Sequence, residues 1–279
     1  MQGLRNLVAA CAAALVLAAC TNLAAVRDFA DSSRDVAQYD VLVADYVAFP
    51  ARQKRYQPEG QHATLEQLAR ARAAQKDGLV ALQAALAEYM DALGDLADDT
   101  RATYDGQLDP LGKAAASAQF VAPTQAAAVS GIAGLLVQAS LGGWRRSQVS
   151  TLIAEGNGPV QTICANLKQL AEGAFRGDVQ RERDTVRLFF RDAEAETQPR
   201  ERAVRIVLED LRDRRFAELD AKLAVADSYA KAVERIAAGH QRLYDARGDI
   251  DRDELISALK RNAKELRALG AQLRPLLPI

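Results

Sequence analysis

The stretch that decides the fold is residues 79–96, LVALQAALAEYMDALGDL. Its large apolar side chains recur at alternating steps of three and four residues: Leu79, Leu82, Leu86, Tyr89, Leu93 and Leu96. This spacing places them along one face of an α-helix, in a coiled-coil-like seam typical of helices that cross at shallow angles. Arg72 and Gln75 continue the same phase upstream. The sequence therefore predicts that the seam weakens there or meets water.

Helical spacing also governs the residues before this stretch. Residues near 24–48 carry an apolar stripe, which the pair Phe49-Pro50 is expected to bend or end. Thr64, with Gln67 three residues later, has the spacing of a capping box. We therefore expect Thr64 to open the helix that contains the seam.

Three further helices are predicted downstream. The sequence Gly156-Asn157-Gly158-Pro159 predicts a turn before a charged helix over about 160–197, and Pro199 separates that helix from another over about 200–246. The last helix repeats the three–four spacing with Leu255, Leu259, Asn262, Leu266, Leu269 and Leu273. No segment has a convincing strand pattern. The predicted fold class is therefore all-α: an elongated antiparallel bundle of long amphipathic helices.

The charge balance argues against a nucleic-acid partner. The 279 residues carry 36 Lys and Arg against 37 Asp and Glu, a formal net charge of −1. The arginine-rich stretch over residues 178–215 contains ten arginines and ten acidic residues. Nucleic-acid binding needs an uncompensated basic surface, so this stretch is interpreted as a solvated helical surface.

The N-terminal residues have the features of a secretory leader. Arg5 is followed by an apolar run over residues 7–17 and then by Ala18, Ala19 and Cys20. The sequence Leu17-Ala18-Ala19-Cys20 resembles the lipobox of bacterial lipoproteins. That resemblance implies a signal peptide over residues 1–19, cleavage before Cys20, and fatty acids attached at the Cys20 thiol.

The same resemblance implies a location and a domain order. Thr21 stands where an aspartate would be associated with retention in the inner membrane. The expected location is the outer membrane facing the periplasm, with the inner membrane and the cell surface left open. Residues 20–27 would form the lipidated N-terminus with a short tether, and residues 28–279 the helical bundle. Cys164, beside Ile163 and Leu167, is expected to be a buried small apolar residue.

One segment differs from the rest in carrying no charge. Residues 114–144 lack Asp, Glu, Lys, Arg and His, and the residues singled out in it are Ile132, Leu135, Leu136, Val137, Leu141 and Trp144. One interpretation is a central helix enclosed by the amphipathic ones. The other is membrane insertion, with Trp144-Arg145-Arg146 at a lipid–water boundary. An uncharged segment between long amphipathic helices is similar in layout to α-helical pore-forming toxins of the cytolysin A type.

No catalytic, cofactor or metal motif accompanies these features. Only His62 and His240 supply imidazoles, neither belongs to a zinc-ligand pair, and His240 is expected to pack in a helical seam where it could titrate near neutral pH. We therefore expect a protein without enzymatic activity, cofactor or metal. It would act as a lipid-anchored helical interaction or scaffold module with an envelope protein partner. Two alternatives stay open: a membrane-inserting or pore-forming protein, and a small-ligand sensor with a pocket lined by Arg72, Gln75 or His240.

Overall fold

The computed structural model describes residues 23–98, 118–141, 149–198, 200–250 and 252–273, with the side chains of residues 140 and 141 left out. Within these ranges the chain forms α-helices and no strand. The helices are α1 (23–37), α2 (Val41–Lys54), α3 (His62–Leu96), α4 (Pro123–Leu141), α5 (Val149–Gln169), α6 (Arg176–Glu196), α7 (Arg202–Asp245) and α8 (Asp253–Leu273). A 3-10 turn over Glu59–Gln61 precedes α3, and a π-helical segment over Leu170–Phe175 joins α5 to α6.

The helices run antiparallel along a bundle with two distinct ends. Phe29 of α1 packs against Gly239 of α7. The ring of Tyr39 lies 5.9 Å from the ring of Tyr229, which is also on α7. Because the α7 partner numbers fall as the chain runs from Phe29 to Tyr39, α1 runs antiparallel to α7, and its first described residues lie beside the C-terminal end of α7. The connection between α6 and α7 lies at the opposite end. We call these the N-terminal end and the hairpin end.

The predicted fold class is confirmed: the described part of the chain is an all-α helical bundle. The seam of α3 is its core, because Leu79, Leu82, Leu86, Tyr89 and Leu93 are buried. The helix predicted over 200–246 is α7, and the leucine-spaced last helix is α8. Burying a large apolar side chain contributes about 1.5–3 kcal/mol, so these seams hold the bundle together.

Of the bend or end predicted at Phe49-Pro50, the end is wrong, because α2 continues through Pro50 to Lys54. Proline has no backbone N–H, so the carbonyl of Tyr46, four residues earlier, loses its helical donor. Arg72 Nη1 of α3 donates to that carbonyl oxygen at 2.9 Å. The break in this region lies earlier, over residues 38–40 between α1 and α2.

The seam of α3 was expected to weaken or to meet water at Arg72, and it does not meet water there. Arg72 is buried, forms an ion pair with Asp178 of α6, and stacks on the ring of Tyr46 at 4.1 Å. Gln75 is half-buried and accepts a hydrogen bond from Tyr46 Oη at 3.3 Å. The ion pair and the aromatic contacts let a charged side chain occupy a seam position.

The turn predicted at Gly156–Pro159 is also wrong, because these residues lie inside α5. Gly156 is buried against the ring of Tyr89, whose hydroxyl lies 3.1 Å from the Leu152 carbonyl oxygen. The glycine is required there by a close helix–helix approach and not by a turn. The predicted capping box is likewise absent: α3 begins at His62, before Thr64, and has no side-chain cap.

Replacing Gly156 or Gly134 with alanine should change the free energy of unfolding in opposite directions. A Cβ at Gly156 would lie 2.6 Å from Tyr89 Cζ, so Gly156→Ala should lower the free energy of unfolding by about 1–3 kcal/mol through overpacking. A Cβ at Gly134 in α4 meets nothing within 4 Å, so Gly134→Ala should raise it by about 0.5–1 kcal/mol. Urea unfolding followed by circular dichroism measures both. Equal changes in the two variants would contradict the close approach of α3 and α5.

Candidate interaction surface

Exposed apolar side chains are concentrated at the hairpin end. Among the described residues, six of the nine exposed large apolar side chains belong to the second half of α6 and the first turns of α7. They are Leu188, Phe189, Val204, Ile206, Val207 and Leu211. We call residues 186–198 and 200–215 the hairpin. Soluble surfaces rarely gather apolar residues in this way unless another molecule covers them.

Two ion pairs fix how the helices of the hairpin face each other. Arg212 Nη1 lies 2.7 Å from Glu194 Oε1, and Arg183 Nη1 lies 3.2 Å from Asp220 Oδ1. Val204, Val207 and Leu211 are spaced i, i+3, i+7 and so form one stripe of α7.

The α7 stripe and Phe189 share one side of the hairpin. α6 and α7 run antiparallel, and each residue advances about 100° around its helix axis. In this geometry Phe189 of α6 and the α7 stripe lie on the same side of the hairpin. We call this side, defined by Phe189, Val204, Val207 and Leu211, the hairpin face. A single face therefore carries most of the exposed apolar surface of the hairpin.

A groove adjoins the hairpin face where α6 meets the turn that follows α2. Its volume is about 560 Å³, and its lining includes Tyr56, Pro58, Leu188, Phe189, Asp192 and Glu196. The rings of Tyr56 and Phe189 meet edge to face with 5.3 Å between their centroids. We call this the hairpin groove. It combines an aromatic floor with a rim of both charges, since Arg55 also lines it and Asp192 pairs with Arg191, so it suits an apolar side chain.

Buried ion pairs tie the base of the hairpin to the bundle. Glu182 of α6 has a fully buried side chain and pairs with Arg52 of α2, at 3.2 Å from Oε1 to Nε, and with Arg215 of α7. Asp45 pairs with Arg52 Nη2 at 2.9 Å and with Lys222 Nζ at 2.8 Å. Each buried charge in this network faces an opposite one, which is the condition under which burial is tolerated. The network fixes α2, α6 and α7 relative to one another.

The sequence interpretation missed this network because it treated residues 178–215 as a solvated surface. One signal was available. Glu182 lies between Val179 and Val186 at the three–four spacing of an apolar seam, and Phe190 continues it. A carboxylate at a core-facing position needs buried cations. The pattern does not tell which arginine or lysine supplies them.

A second buried polar cluster lies toward the N-terminal end of the bundle. His240 is fully buried, with Nε2 at 2.6 Å from Tyr89 Oη and Nδ1 at 2.9 Å from Asn157 Oδ1. The Asn157 amide donates to Gln241 Oε1 at 3.0 Å, which leaves its own oxygen to accept from Nδ1–H. The Tyr89 hydroxyl, with its one proton, lies within hydrogen-bond distance of both Nε2 and the Leu152 carbonyl oxygen. Burial lowers the pKa of His240 to about 4, so the expectation of titration near neutral pH is wrong.

The buried cysteine behaves as the sequence predicted. Cys164 is buried in the apolar core, and burial raises the pKa of its thiol to about 12. A thiol held in its protonated form is a poor nucleophile, so Cys164 acts as a small apolar residue of the core.

The residues singled out in the uncharged segment are divided between the core and the surface. Trp144 lies outside the described residues, as does the side chain of Leu141. The predicted lipid-attachment residue, Cys20, also lies outside them. Ile132, Leu135 and Leu136 are buried, whereas Val137 is 44% exposed. The exposed side of α4 is formed by Thr124, Ala127, Ser130, Gly134, Val137 and Gln138.

The uncharged helix is therefore half-buried. α4 packs on α3 and α5 by one face and is not a central helix enclosed on every side. None of the helices in the described ranges combines the length and the apolar content that crossing a bilayer requires.

One cavity includes a residue named for the ligand-binding alternative. It has a volume of about 320 Å³, is open to solvent, and is lined by Gln75 together with Tyr46, Gln125 and Asn166. Its polar groups bind one another, because Tyr46 Oη donates to Gln75 and the Gln125 amide donates to Asn166 at 2.8 Å. Arg72 and His240 do not line this cavity: Arg72 pairs with Asp178, and His240 contacts Tyr89. Within the described ranges no His, Cys, Asp or Glu cluster could hold a metal ion.

No protein-family model, curated protein or solved structure matches this chain. The geometry of its own residues is therefore the basis for a functional proposal. The hairpin face and the hairpin groove form the surface with the clearest binding chemistry, because exposed apolar side chains there adjoin a rigid, ion-paired base.

Proposed function

We propose that this protein is a non-catalytic helical interaction module, held in the bacterial envelope by fatty acids on Cys20, which presents the hairpin face to a protein partner. The observation that carries the proposal is the concentration of exposed apolar side chains on the hairpin. The lipobox-like sequence Leu17-Ala18-Ala19-Cys20 supports the anchor. The expected location is the outer membrane facing the periplasm.

The positions of anchor and hairpin support this division of roles. Cys20 lies three residues before residue 23, the first described residue of α1, and this end of α1 lies at the N-terminal end of the bundle. The hairpin is at the opposite end, and the 44-residue α7 connects the two over about 66 Å. A lipid on Cys20 would therefore hold one end at the membrane and direct the hairpin away from it.

The chemistry of the hairpin favours a protein as its partner. Exposed aliphatic and aromatic side chains need an apolar counterpart, and the helical stripe of Val204, Val207 and Leu211 suits the side of another helix. The hairpin carries eight arginines and seven acidic residues, so it has little net charge to draw it to anionic lipid or nucleic acid. The function that fits is docking or scaffolding between helical surfaces.

The anchor is tested by fatty-acid labelling in bacteria that produce the full chain. We expect the wild-type chain and Cys11→Ser to incorporate a labelled fatty acid, and Cys20→Ser to incorporate none. Cys11→Ser is the matched control, because that cysteine belongs to the expected signal peptide. Labelling that survives Cys20→Ser would remove the anchor and, with it, the proposed location.

The surface is tested by photocrosslinking in the same cells. A photoreactive phenylalanine replaces Val207 on the hairpin face or Val80 on α3, which are both exposed valines. Discrete protein adducts should form from position 207 and not from position 80. If both positions give the same adducts, or if position 207 gives none, the hairpin face is not the docking surface.

A further inference from the structure

We infer that the partner protein places a single α-helix on the hairpin face, in the furrow between α6 and α7 and in line with α2. The inference rests on the proposed function and identifies the kind of segment that the same surface receives. The partner helix is amphipathic and turns its apolar side toward the hairpin. It completes a three-helix unit over the exposed length of the hairpin, as α2 does closer to the bundle.

α2 shows how the furrow between α6 and α7 is filled at the base of the hairpin. Its Arg52 pairs with Glu182 on the α6 wall, with 3.2 Å between Nε and Oε1. Asp45, two turns earlier on α2, pairs with Lys222 on the α7 wall, with 2.8 Å between Oδ1 and Nζ. One helix therefore contacts both walls of the furrow, which is wide enough for a helix.

The furrow continues past the end of α2. Its wall positions recur at steps of three or four residues, which keeps them on one side of each helix. They are residues 182, 185, 189, 193 and 196 of α6, and residues 222, 218, 215, 211, 207 and 204 of α7. α2 ends at Lys54, and Tyr56 of the following turn meets the ring of Phe189. Beyond that level the furrow is open, because Leu211 is 48% exposed and Val207 is 56% exposed.

The lining of the furrow changes from charged to apolar where α2 ends. In the covered part, Glu182 and Lys222 pair with charged side chains of α2. In the open part, the exposed wall residues are mainly the apolar residues of the hairpin face. Apolar side chains are covered best by apolar ones. The occupant of the open part therefore differs from α2 in turning apolar side chains inward.

A helix suits the open part better than an extended segment does. The walls are the sides of two helices, whose backbone N–H and C=O groups are bonded within each helix. An extended segment would bring its own unpaired backbone groups onto apolar side chains, whereas a helix satisfies them internally. Val204 and Leu211 lie about 10 Å apart along α7, so the contact takes two to three turns of the partner helix.

The geometry is tested by photocrosslinking the full chain in bacteria. A photoreactive phenylalanine replaces Val204 or Leu211, and mass spectrometry identifies the partner residue attached to each. For a helix in line with α2, the two attachment sites should lie about seven residues apart in the partner, because a helix rises about 1.5 Å per residue. For an extended segment they would lie about three residues apart. A helix that crosses the hairpin would be attached within one turn from both positions.

A pair of glutamate variants tests which side of α7 receives the helix. Leu211→Glu should lower the yield of adducts from position 207 by about tenfold, because it places a charge in the apolar contact. Ile206→Glu is the matched control and should leave the yield unchanged. Ile206 is 55% exposed but lies about 100° around α7 from Val207, on the side away from the furrow. Circular dichroism should show unchanged helix in both variants, because both side chains are exposed.

The outcomes separate this inference from the proposed function. Attachment sites about three residues apart, or within one turn of each other, would overturn the partner helix and leave the docking surface in place. Adducts that join two copies of this chain would overturn the separate partner. Equal yields from Leu211→Glu and Ile206→Glu would overturn the seat in the furrow. Absence of adducts from positions 204, 207 and 211 would remove the surface and the inference together.

Discussion

Glu182→Ala should lower the free energy of unfolding by about 3–5 kcal/mol, because it leaves Arg52 and Arg215 facing each other without the carboxylate between them. The side chain of Glu182 is fully buried, so water cannot replace it without opening the base of the hairpin. Urea unfolding followed by circular dichroism gives the change.

Asp184→Ala is the matched control for that variant. Asp184 lies two residues later on the same helix, is largely exposed, and pairs with Arg187 at the surface. Its loss should change stability by less than about 0.5 kcal/mol. Glu182→Gln should fall between the two, because it keeps the shape and one acceptor oxygen but turns an NH2 group toward the arginine donors and removes the charge. A Glu182→Ala variant as stable as Asp184→Ala would contradict the buried network.

The second large effect is a loss of stability in acid that depends on His240. Burial lowers its pKa from 6.5 to about 4, so the unfolded chain binds the proton more readily between these values. The free energy of unfolding that His240 contributes is fully present above pH 6.5. It is lost as the pH drops toward 4, a change of about 3 kcal/mol in total. Below pH 4 both states are protonated and this contribution stops changing.

His240→Gln tests that effect. Its side chain does not titrate, so the fall in stability between pH 6.5 and pH 4 should be smaller than in the wild type by about 3 kcal/mol. Carboxylates contribute equally to both proteins, so the difference between the two curves isolates the imidazole. His62→Gln is the control, because His62 is the half-exposed first residue of α3. Parallel curves for His240→Gln and the wild type would show that His240 is not held neutral.

The long helices could be predicted from the sequence, because their seams repeat with the helical period itself. The leucines of α3 and α8 and the length of α7 follow directly from that spacing. The errors came where a distant side chain changes the meaning of a local signal. Pro50 stays helical because Arg72 binds the freed carbonyl, and Gly156 marks the approach of Tyr89 instead of a turn.

The hairpin face could not be predicted from periodicity alone. The stripe of Val204, Val207 and Leu211 has the spacing of any buried seam, and nothing in it tells whether another helix covers it. The pairing of Arg212 with Glu194 and the length by which α6 and α7 extend past their neighbours decide that question. Exposure is a property of the assembly of helices and not of any one of them.

Epistasis follows from the contact between Arg72 and the Tyr46 carbonyl. Substituting Arg72 alone would strand an acceptor that Pro50 has deprived of its helical donor, and would also leave Asp178 without a buried cation. With alanine at position 50, a backbone N–H would serve that acceptor, and the same loss at position 72 would cost less. Residues 50 and 72 therefore constrain each other's replacement, although they lie on different helices.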